Sequence, residues 1–152
     1  MDDQPFPVRE IDAHGPLFEG AMDVYGEAFA RPPYSDLDRG REIRQRLRDT
    51  HQFRRGFRLL IAEECAERVA GMAYGYRGGP GQWWHDTVAR RLAPEAAGKW
   101  LGDHYELAEI AVHPDFQGRG VGSALITELL RGRPERTCVL STRTDSRAHE
   151  LY

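Results

Sequence analysis

Apolar residues recur along the chain at two spacings, one typical of helices and the other typical of strands. A first helix is predicted at residues 16–30, where apolar residues stand three or four positions apart. A second helix is predicted from residue 37 to about 53, with Ile43 and Leu47 on its buried side. The Pro32-Pro33 pair should separate the two helices, because proline cannot continue a helix.

Shorter apolar runs predict strands. They lie at residues 6–11, 57–63, 68–76, 105–112 and 137–142. Residues 64–67 are polar, so the second and third strands should form an antiparallel hairpin. Further helices are predicted at residues 120–131 and from Asp145 onward.

Composition indicates a small globular protein. The chain has 152 residues, 40% hydrophobic and 30% charged, which suits a single domain spanning residues 1–152. No apolar run has the length of a membrane span, and the acidic N-terminus is unlike a signal peptide. We therefore expect a cytoplasmic protein that binds no membrane. The net charge of −3 argues against a general nucleic-acid binder, and neither the histidines nor the two cysteines have metal-ligand spacing.

Eight arginines lie between Arg39 and Arg58, which departs from the mild overall acidity. They form either a basic patch for phosphates or an acidic partner, or the solvated face of the second helix. We favour the solvated face, since Ile43 and Leu47 supply the buried stripe that such a helix needs.

Residues 106–130, ELAEIAVHPDFQGRGVGSALITELL, contain the most informative pattern of the chain. A strand-like run ends at His113, a glycine-rich turn follows, and a helical pattern begins at once. A turn of this kind at a helix N-terminus directs backbone N–H groups at an anion. Gly120 and Gly122 would let a pyrophosphate approach closely, because glycine lacks Cβ.

Two common phosphate-binding loops do not fit this segment. A P-loop needs a lysine next to its last glycine, and Lys99 is the only lysine of the chain. A dinucleotide-binding fingerprint needs G-x-G-x-x-G near a first strand, whereas the glycines here are spaced G-x-G-x-G near the end of the chain.

The segment instead resembles the acetyl-CoA loop of the GNAT superfamily of N-acyltransferases, [QR]-x-x-G-x-[GA], at Gln117, Gly120 and Gly122. The resemblance implies an α/β (α+β) fold with a mixed, mostly antiparallel central sheet flanked by helices. It also implies that acetyl-CoA is held by the strand end and by the loop. The implied cofactor-binding residues are Ile110, Ala111, Val112, Gln117, Gly118, Arg119, Gly120, Val121, Gly122, Ser123 and Asp145.

The resemblance also implies catalytic residues. Glu106 occupies the position at which some family members place a catalytic glutamate, so it is the candidate base, acting through water; the alternative is a salt-bridged strand residue. Strand alternation predicts that Glu106 shares a face with Ala108 and Ile110, and that Glu109, the second choice, points the opposite way. Tyr152 matches the tyrosine that often protonates the departing thiolate, and its alternative is a packing role.

The last eight residues resemble the family motif N-x-x-A-x-x-L-Y, which usually continues toward Gly-Phe. The family fold adds two further strands after this motif, so we expect the chain to be truncated and its sheet to lack them. Asp145 stands at the asparagine of the motif. Because a carboxylate cannot donate as an amide does, its contact with CoA is open, and an N-cap is the alternative.

About 27 residues, 78–104, separate two strands that family members often join by a short turn. Trp84, Val88 and Leu92 should share one face of a helix, and Pro94 should begin a second short helix. This insert forms either a lid over the acceptor, with Trp83 and Trp84 as substrate-binding residues, or a segment that tryptophans pin to the sheet.

These patterns favour an acetyl-CoA-dependent N-acetyltransferase in which a primary amine attacks the thioester directly. The acceptor, a small molecule or a protein, stays undetermined, and a homodimer is compatible with the family. Two alternatives stay open: a non-catalytic acyl-CoA-binding or sensing module of the same fold, and an arginine-rich interaction protein.

Overall fold

The computed structural model describes residues 6–65, 68–145 and 151–152. Its helices and strands, in chain order, are β1 (Val8–Ile11), α1 (Pro16–Ala30), α2 (Arg39–Asp49), β2 (Arg58–Cys65), β3 (Arg68–Arg77), α3 (Trp83–Ala89), α4 (Pro94–Leu101), β4 (His104–Val112), α5 (Val121–Leu130) and β5 (Thr137–Val139). Single 3₁₀ turns lie at His51–Phe53 and Pro114–Phe116.

The strands form one sheet in the order β1-β2-β3-β4-β5. Neighbours from β1 to β4 are antiparallel, whereas β5 runs parallel to β4. The predicted mixed, mostly antiparallel sheet is therefore confirmed. Parallel pairing is possible for β5 because α5 carries the chain back across the sheet before it.

Several predicted boundaries differ from the structure. The predicted helix at 16–30 is α1 with the same bounds, but the second helix is shorter, because Leu37 lies outside it with 85% of its surface exposed. β5 ends at Val139 rather than at residue 142, since the chain then leaves β4. The helix predicted from Asp145 falls mainly on residues 146–150, outside the described residues.

The core has one layer on each face of the sheet. α1 and α2 cover one face, where Ile43 and Leu47 are fully buried as predicted. α5 covers the other face with Val121, Leu125 and Leu129. The helix comes close because β3 carries Gly71 beneath it: a Cβ added there would lie 2.8 Å from Val121 Cγ1.

Most arginines of α2 lie on its solvated side, as the favoured interpretation predicted. Arg44 and Arg48 pair with Glu19 of α1, and Arg46 pairs with Glu42 one turn away. Within the described ranges, no helix is long and apolar enough to cross a membrane. The same part of the chain contains no group of three or more His, Cys, Asp or Glu side chains placed to hold a metal ion.

Candidate active site

β4 and β5 separate in the middle of β4 and open a cavity. Their pairing covers only residues 104–106 of β4, with Glu106 opposite Val139 as the last pair. Beyond it lies a cavity of about 300 Å³, lined by residues 107–110 of β4 and residues 140–143 after β5. Phe29, Tyr34, Arg39 and Tyr152 complete its lining. On this side, residues 107–112 have no partner strand among the described residues, so the backbone groups of residues 108–111 that point this way are available to a ligand.

A β-bulge in β4 decides which side chains face which layer. Tyr74 pairs with Glu109 and Gly75 pairs with Leu107, so Ala108 is the extra residue. The prediction that Glu106 shares a face with Ile110 and that Glu109 points away is therefore wrong. One inserted residue reverses the alternation beyond it, so Glu106 and Glu109 both face the α1 and α2 layer.

Glu106 is a buried carboxyl group at the point where the strands separate. Only 6% of the residue is exposed, and its Oε2 atom has no hydrogen-bond partner among the described residues. Burial raises the pKa of Glu106 to about 7, although a hydrogen bond from the Tyr76 hydroxyl and the nearby Arg54 charge lower it. No ion pair of Glu106 is found among the described residues, so the salt-bridged alternative is not supported.

Glu109, unlike Glu106, lines the cavity and has a charged partner. Its Oε2 atom lies 3.7 Å from Nη2 of Arg39, and 14% of its side chain is exposed. Burial raises the pKa of Glu109, while the Arg39 charge and a hydrogen bond from Tyr25 lower it.

Tyr152 reaches the same cavity from the end of the chain. It is 43% exposed, and burial, Tyr34 and Glu109 raise the pKa of its phenol to about 12. A phenol with this pKa stays protonated at neutral pH, so it can serve as a proton donor.

The glycine-rich loop lies between the end of β4 and the start of α5. Gly118 and Gly120 have φ of +76° and +84°, a backbone conformation that favours glycine. Gly120 is the N-cap of α5 and offers no side-chain cap, so the first N–H groups of α5 are available to an anion. Gln117 donates from Nε2 to the Val112 carbonyl oxygen at 3.1 Å, which ties the loop to β4.

The remaining predicted loop residues have different surroundings. Arg119 and Ser123 are exposed, whereas Val121 and Gly122 are buried. A Cβ on Gly122 would lie 2.8 Å from Leu151 Cδ2. Close packing is therefore a second reason for glycine at this position.

The profile of the Acetyltransferase (GNAT) family matches residues 18–152. The chain belongs to the GNAT acetyltransferase family. Family membership accounts for a cavity, a glycine-rich loop and an uncapped helix N-terminus that lie together.

Individual relatives agree with this assignment. A GCN5-like protein acetyltransferase of Mycobacterium tuberculosis is 42% identical over 100 residues, which cover 60% of this GNAT chain and 48% of the relative. The chain thus matches about half the length of that curated relative.

Two solved acetyltransferase structures share the fold at lower identity. One is a GNAT family acetyltransferase from Brucella melitensis in complex with acetyl-CoA, with a TM-score of 0.62 and 22% identity. The match covers 95% of this chain and 80% of the Brucella chain. Another, described as histone acetyltransferase HPA2 and related acetyltransferase from Corynebacterium glutamicum, has a TM-score of 0.65 at 24% identity, with 97% and 81% covered. Acetyl-CoA is the co-substrate of this family.

The insert of this GNAT chain consists of α3 and α4, and its packing differs from the prediction. Trp84 and Val88 lie four residues apart in α3 and are both half-buried, so only the inclusion of Leu92 in the predicted stripe is wrong. The buried residue of α3 is His85, whose ring stacks on His104 with centroids 5.5 Å apart. Leu92 lies beyond the end of α3 and is exposed. The pattern misled because an apolar spacing does not reveal a histidine that packs on another histidine.

The two tryptophans of α3 have unequal surroundings. Trp83 is 76% exposed, whereas the half-buried Trp84 donates from Nε1 to Ser141 Oγ at 2.6 Å. Because Ser141 lines the cavity, Trp84 connects the insert to its wall.

Asp145 forms an ion pair with Arg143. Arg143 donates to both carboxylate oxygens of Asp145, at 2.8 and 2.7 Å, and both residues are exposed. This ion pair lowers the pKa of Asp145, which therefore presents a negative charge.

Sequence reasoning missed four residues around the two glutamates: Tyr25, Arg39, Arg54 and Tyr76. Arg39 and Arg54 belong to the arginine-rich stretch that the sequence predicts to be largely solvated, and no motif singles out Tyr25 or Tyr76. The sequence gives no signal that these four residues lie close together, because they come from four separate segments of the chain.

Proposed function

We propose that this protein transfers the acetyl group of acetyl-CoA to a primary amine, which attacks the thioester directly. The separation of β4 from β5 beside the glycine-rich loop carries this proposal. It leaves strand backbone free for the pantetheine arm and uncapped N–H groups of α5 free for the pyrophosphate. Together the two features fit acetyl-CoA, which carries both an extended arm and a pyrophosphate.

The cofactor-binding residues that we propose follow this path. Ile110, Ala111 and Val112 would contact the arm through their backbone, and residues 117–123 would surround the pyrophosphate. Asp145 is a weaker member of the set, because its carboxylate is paired with Arg143.

In the proposed reaction, Glu106 accepts the proton of the acceptor ammonium, through a water molecule. A carboxylate with a pKa near 7 suits this task, because a base works best when its pKa lies close to the working pH. The acetyl-CoA supplies the thioester carbon to which the amine nitrogen bonds. As the carbon–sulfur bond breaks, Tyr152 donates its phenolic proton to the sulfur, and the second proton that the amine nitrogen must lose returns the Tyr152 phenol to its neutral form.

The acceptor enters, in this proposal, from the side of the insert, with Trp83 and Trp84 as contacts. The mycobacterial relative is a protein acetyltransferase, which makes a protein lysine one candidate beside a small-molecule amine. We further propose one GNAT domain over residues 1–152 that works in the cytoplasm, as a monomer or a homodimer, without binding nucleic acid or a membrane.

Free-thiol release from acetyl-CoA, measured with a panel of small amines and lysine peptides, tests the function. We expect release with at least one amine class. Gly120→Glu should abolish both release and CoA binding in a titration, because it adds bulk and negative charge at the proposed pyrophosphate position.

Gly132→Glu is the matched control. Gly132 also has a positive φ, +71°, with nothing within 4 Å of an added Cβ, but it lies just beyond the other end of α5. CoA binding that survives in Gly120→Glu refutes the placement of the loop. CoA binding without thiol release from any amine favours the sensing module instead.

A further inference from the structure

The Glu109 carboxylate is held by a connected set of contacts that starts at Arg39. Nε of Arg39 donates to the Tyr25 hydroxyl at 2.8 Å, and that hydroxyl in turn hydrogen-bonds Glu109. The guanidinium carbon lies 4.0 Å from the Phe29 ring centroid, so the cation stacks on an aromatic face. Arg39 is therefore fixed in place beside the cavity, with its Nη2 atom 3.7 Å from Glu109.

Glu106 has similar neighbours but lacks the ion pair. Tyr76 hydrogen-bonds it, and Arg54 stacks on the Tyr76 ring with its guanidinium carbon 4.6 Å from the centroid. Within the described residues, Arg54 makes no ion pair with Glu106, whose Oε2 atom stays without a partner. The two glutamates thus have matching tyrosine and arginine neighbours, but only Glu109 has a cation within ion-pair distance.

The bulge at Ala108 makes this difference matter. It places both carboxyl groups on one face of β4, where the charge of Glu109 raises the pKa of Glu106 and the charge of Arg39 lowers the pKa of Glu109. Two such carboxylates in a poorly solvated region cannot both stay ionised at low cost. A proton taken up by the pair should therefore reside on the group without the ion pair.

We propose that Arg39 is a positioning residue that assigns this proton to Glu106, by holding Glu109 as its ionised partner on the cavity wall. The catalytic use of that proton rests on the function proposed above, but the assignment itself does not. Glu109, kept charged, then presents a fixed negative charge to the incoming acceptor ammonium.

Other charged and titratable groups face the pair without replacing Arg39. Around Glu109 these are Arg46 on α2, Tyr74 on β3 and Tyr152. Arg46 pairs with Glu42 at 4.0 Å, which leaves Arg39 as the arginine in ion-pair contact with Glu109 among the described residues.

The groups around Glu106 come from three segments: Tyr76 on β3, Arg54 after the 3₁₀ turn, and His85 on α3. None of them contacts Arg39 in the described part of the structure. Replacing Arg39 should therefore change the titration midpoint of Glu106 mainly by changing the charge of Glu109.

Titration of the glutamate side chains by carboxyl-detected ¹³C NMR tests the proposal in the protein without acceptor or acetyl-CoA. Signals are assigned with Glu106→Gln and Glu109→Gln. In Arg39→Gln we expect the Glu109 midpoint to rise by about one pH unit or more, since an adjacent opposite charge lowers a carboxyl pKa by roughly that amount. The Glu106 midpoint should fall, because its neutral neighbour no longer repels its charge.

Two further variants separate charge from structure. Arg39→Lys keeps the charge and should hold the Glu109 midpoint near the wild-type value. Arg44→Gln removes an arginine of the same helix whose partner is Glu19, away from the cavity, and should move neither midpoint. Should Arg39→Gln fail to fold, Glu109→Gln tests the same coupling, because it too should lower the Glu106 midpoint.

The outcomes are distinct. An unchanged Glu109 midpoint in Arg39→Gln, or two midpoints that rise together, overturns the proposal, as does an unchanged Glu106 midpoint in Glu109→Gln. Opposite shifts support it even when no amine is acetylated, so failure of the transfer reaction is a separate result. If transfer is found, the acidic limb of kcat/KM should move to lower pH in Arg39→Gln and return in Arg39→Lys.

Discussion

At the scale of single residues, burial gives Glu106 a property that its position in the sequence does not reveal. A strand glutamate is ordinarily ionised above pH 5. Here burial raises the pKa to about 7, and the group is placed where the two strands separate. The same burial that suits the residue to accept a proton makes its ionised form costly to the fold.

Glu106→Gln should lower kcat by about 10²- to 10⁴-fold, the usual contribution of a positioned general base. In the wild type, the rate should fall as the pH drops through about 7, because protonated Glu106 cannot accept a proton. That limb should disappear from the pH–rate profile of the variant. Glu128→Gln, on the surface of α5 beside Arg131, is the control and should change neither quantity.

Glu106→Gln, which should lower kcat, should by contrast make the fold more stable than the wild type as the pH rises. The folded-state pKa of Glu106 exceeds its ordinary value of 4.5, so its contribution to stability is present below 4.5 and is lost as pH rises through 7. Glutamine carries no such pH dependence. Urea unfolding should therefore show Glu106→Gln gaining on the wild type between pH 5 and pH 8, and a constant difference would contradict the buried-carboxyl assignment.

At the scale of elements, the approach of α5 to the sheet sets the position of the glycine-rich loop. The approach depends on Gly71 of β3, where a Cβ would lie 2.8 Å from Val121 Cγ1 and 3.1 Å from both the Ala111 carbonyl oxygen and Leu125 Cδ1. Two of these atoms belong to the helix and one to the backbone of β4. A side chain at residue 71 must therefore displace α5 or strain the sheet.

Gly71→Ala should destabilise the protein by about 1–3 kcal/mol, the usual cost of overpacking. CoA affinity should fall with it, since the first N–H groups of α5 move. The control is Gly98→Ala, inside α4 with nothing within 4 Å, which should be neutral or stabilising by up to about 1 kcal/mol. Chemical denaturation measures the stability of each variant, and a CoA titration measures its affinity. Equal stabilities of Gly71→Ala and Gly98→Ala would contradict the packing argument.

At the scale of the whole molecule, the insert reaches across the sheet edge to the wall of the cavity. Trp84 on α3 donates to Ser141 after β5, and this bond joins segments 57 residues apart. Trp83, its neighbour, points into solvent. The insert can therefore influence acceptor binding through Trp84 without contributing to the proposed pyrophosphate site.

Trp84→Phe should raise the acceptor KM by about 2- to 10-fold, the equivalent of one net hydrogen bond. CoA affinity should stay unchanged in a titration, because neither Trp84 nor Ser141 belongs to the glycine-rich loop. Trp100→Phe, on α4 of the same insert and 47% exposed, keeps an aromatic ring and should leave both values near the wild type. An acceptor KM that Trp84→Phe leaves unchanged would show that Trp84 only anchors the insert.

Local patterns were sufficient for much of the fold. The bounds of α1, the hairpin of β2 and β3, and the buried Ile43 and Leu47 follow from periodicity, which depends on residues close in sequence. The glycine-rich segment indicated the family for the same reason, because a strand end, a turn and a helix start are consecutive.

The arrangement of the two glutamates could not be obtained in this way. Strand alternation assumes regular pairing, and the bulge at Ala108 exists only because β3 and β4 pair out of step between Tyr74 and Gly75. Likewise, Arg39 reaches Glu109 across about 70 residues of chain, a contact that no local spacing records.

The sequence by itself determined the family, the glycine-rich loop and most elements, because these depend on short-range patterns of glycine, apolar and polar residues. The tertiary structure alone decided that both glutamates share one face, that Arg39 is paired with Glu109, and that Glu106 is left with an unpartnered oxygen. The physical reason is that burial and ion pairing are properties of neighbours in space, and folding brings those neighbours from separate segments.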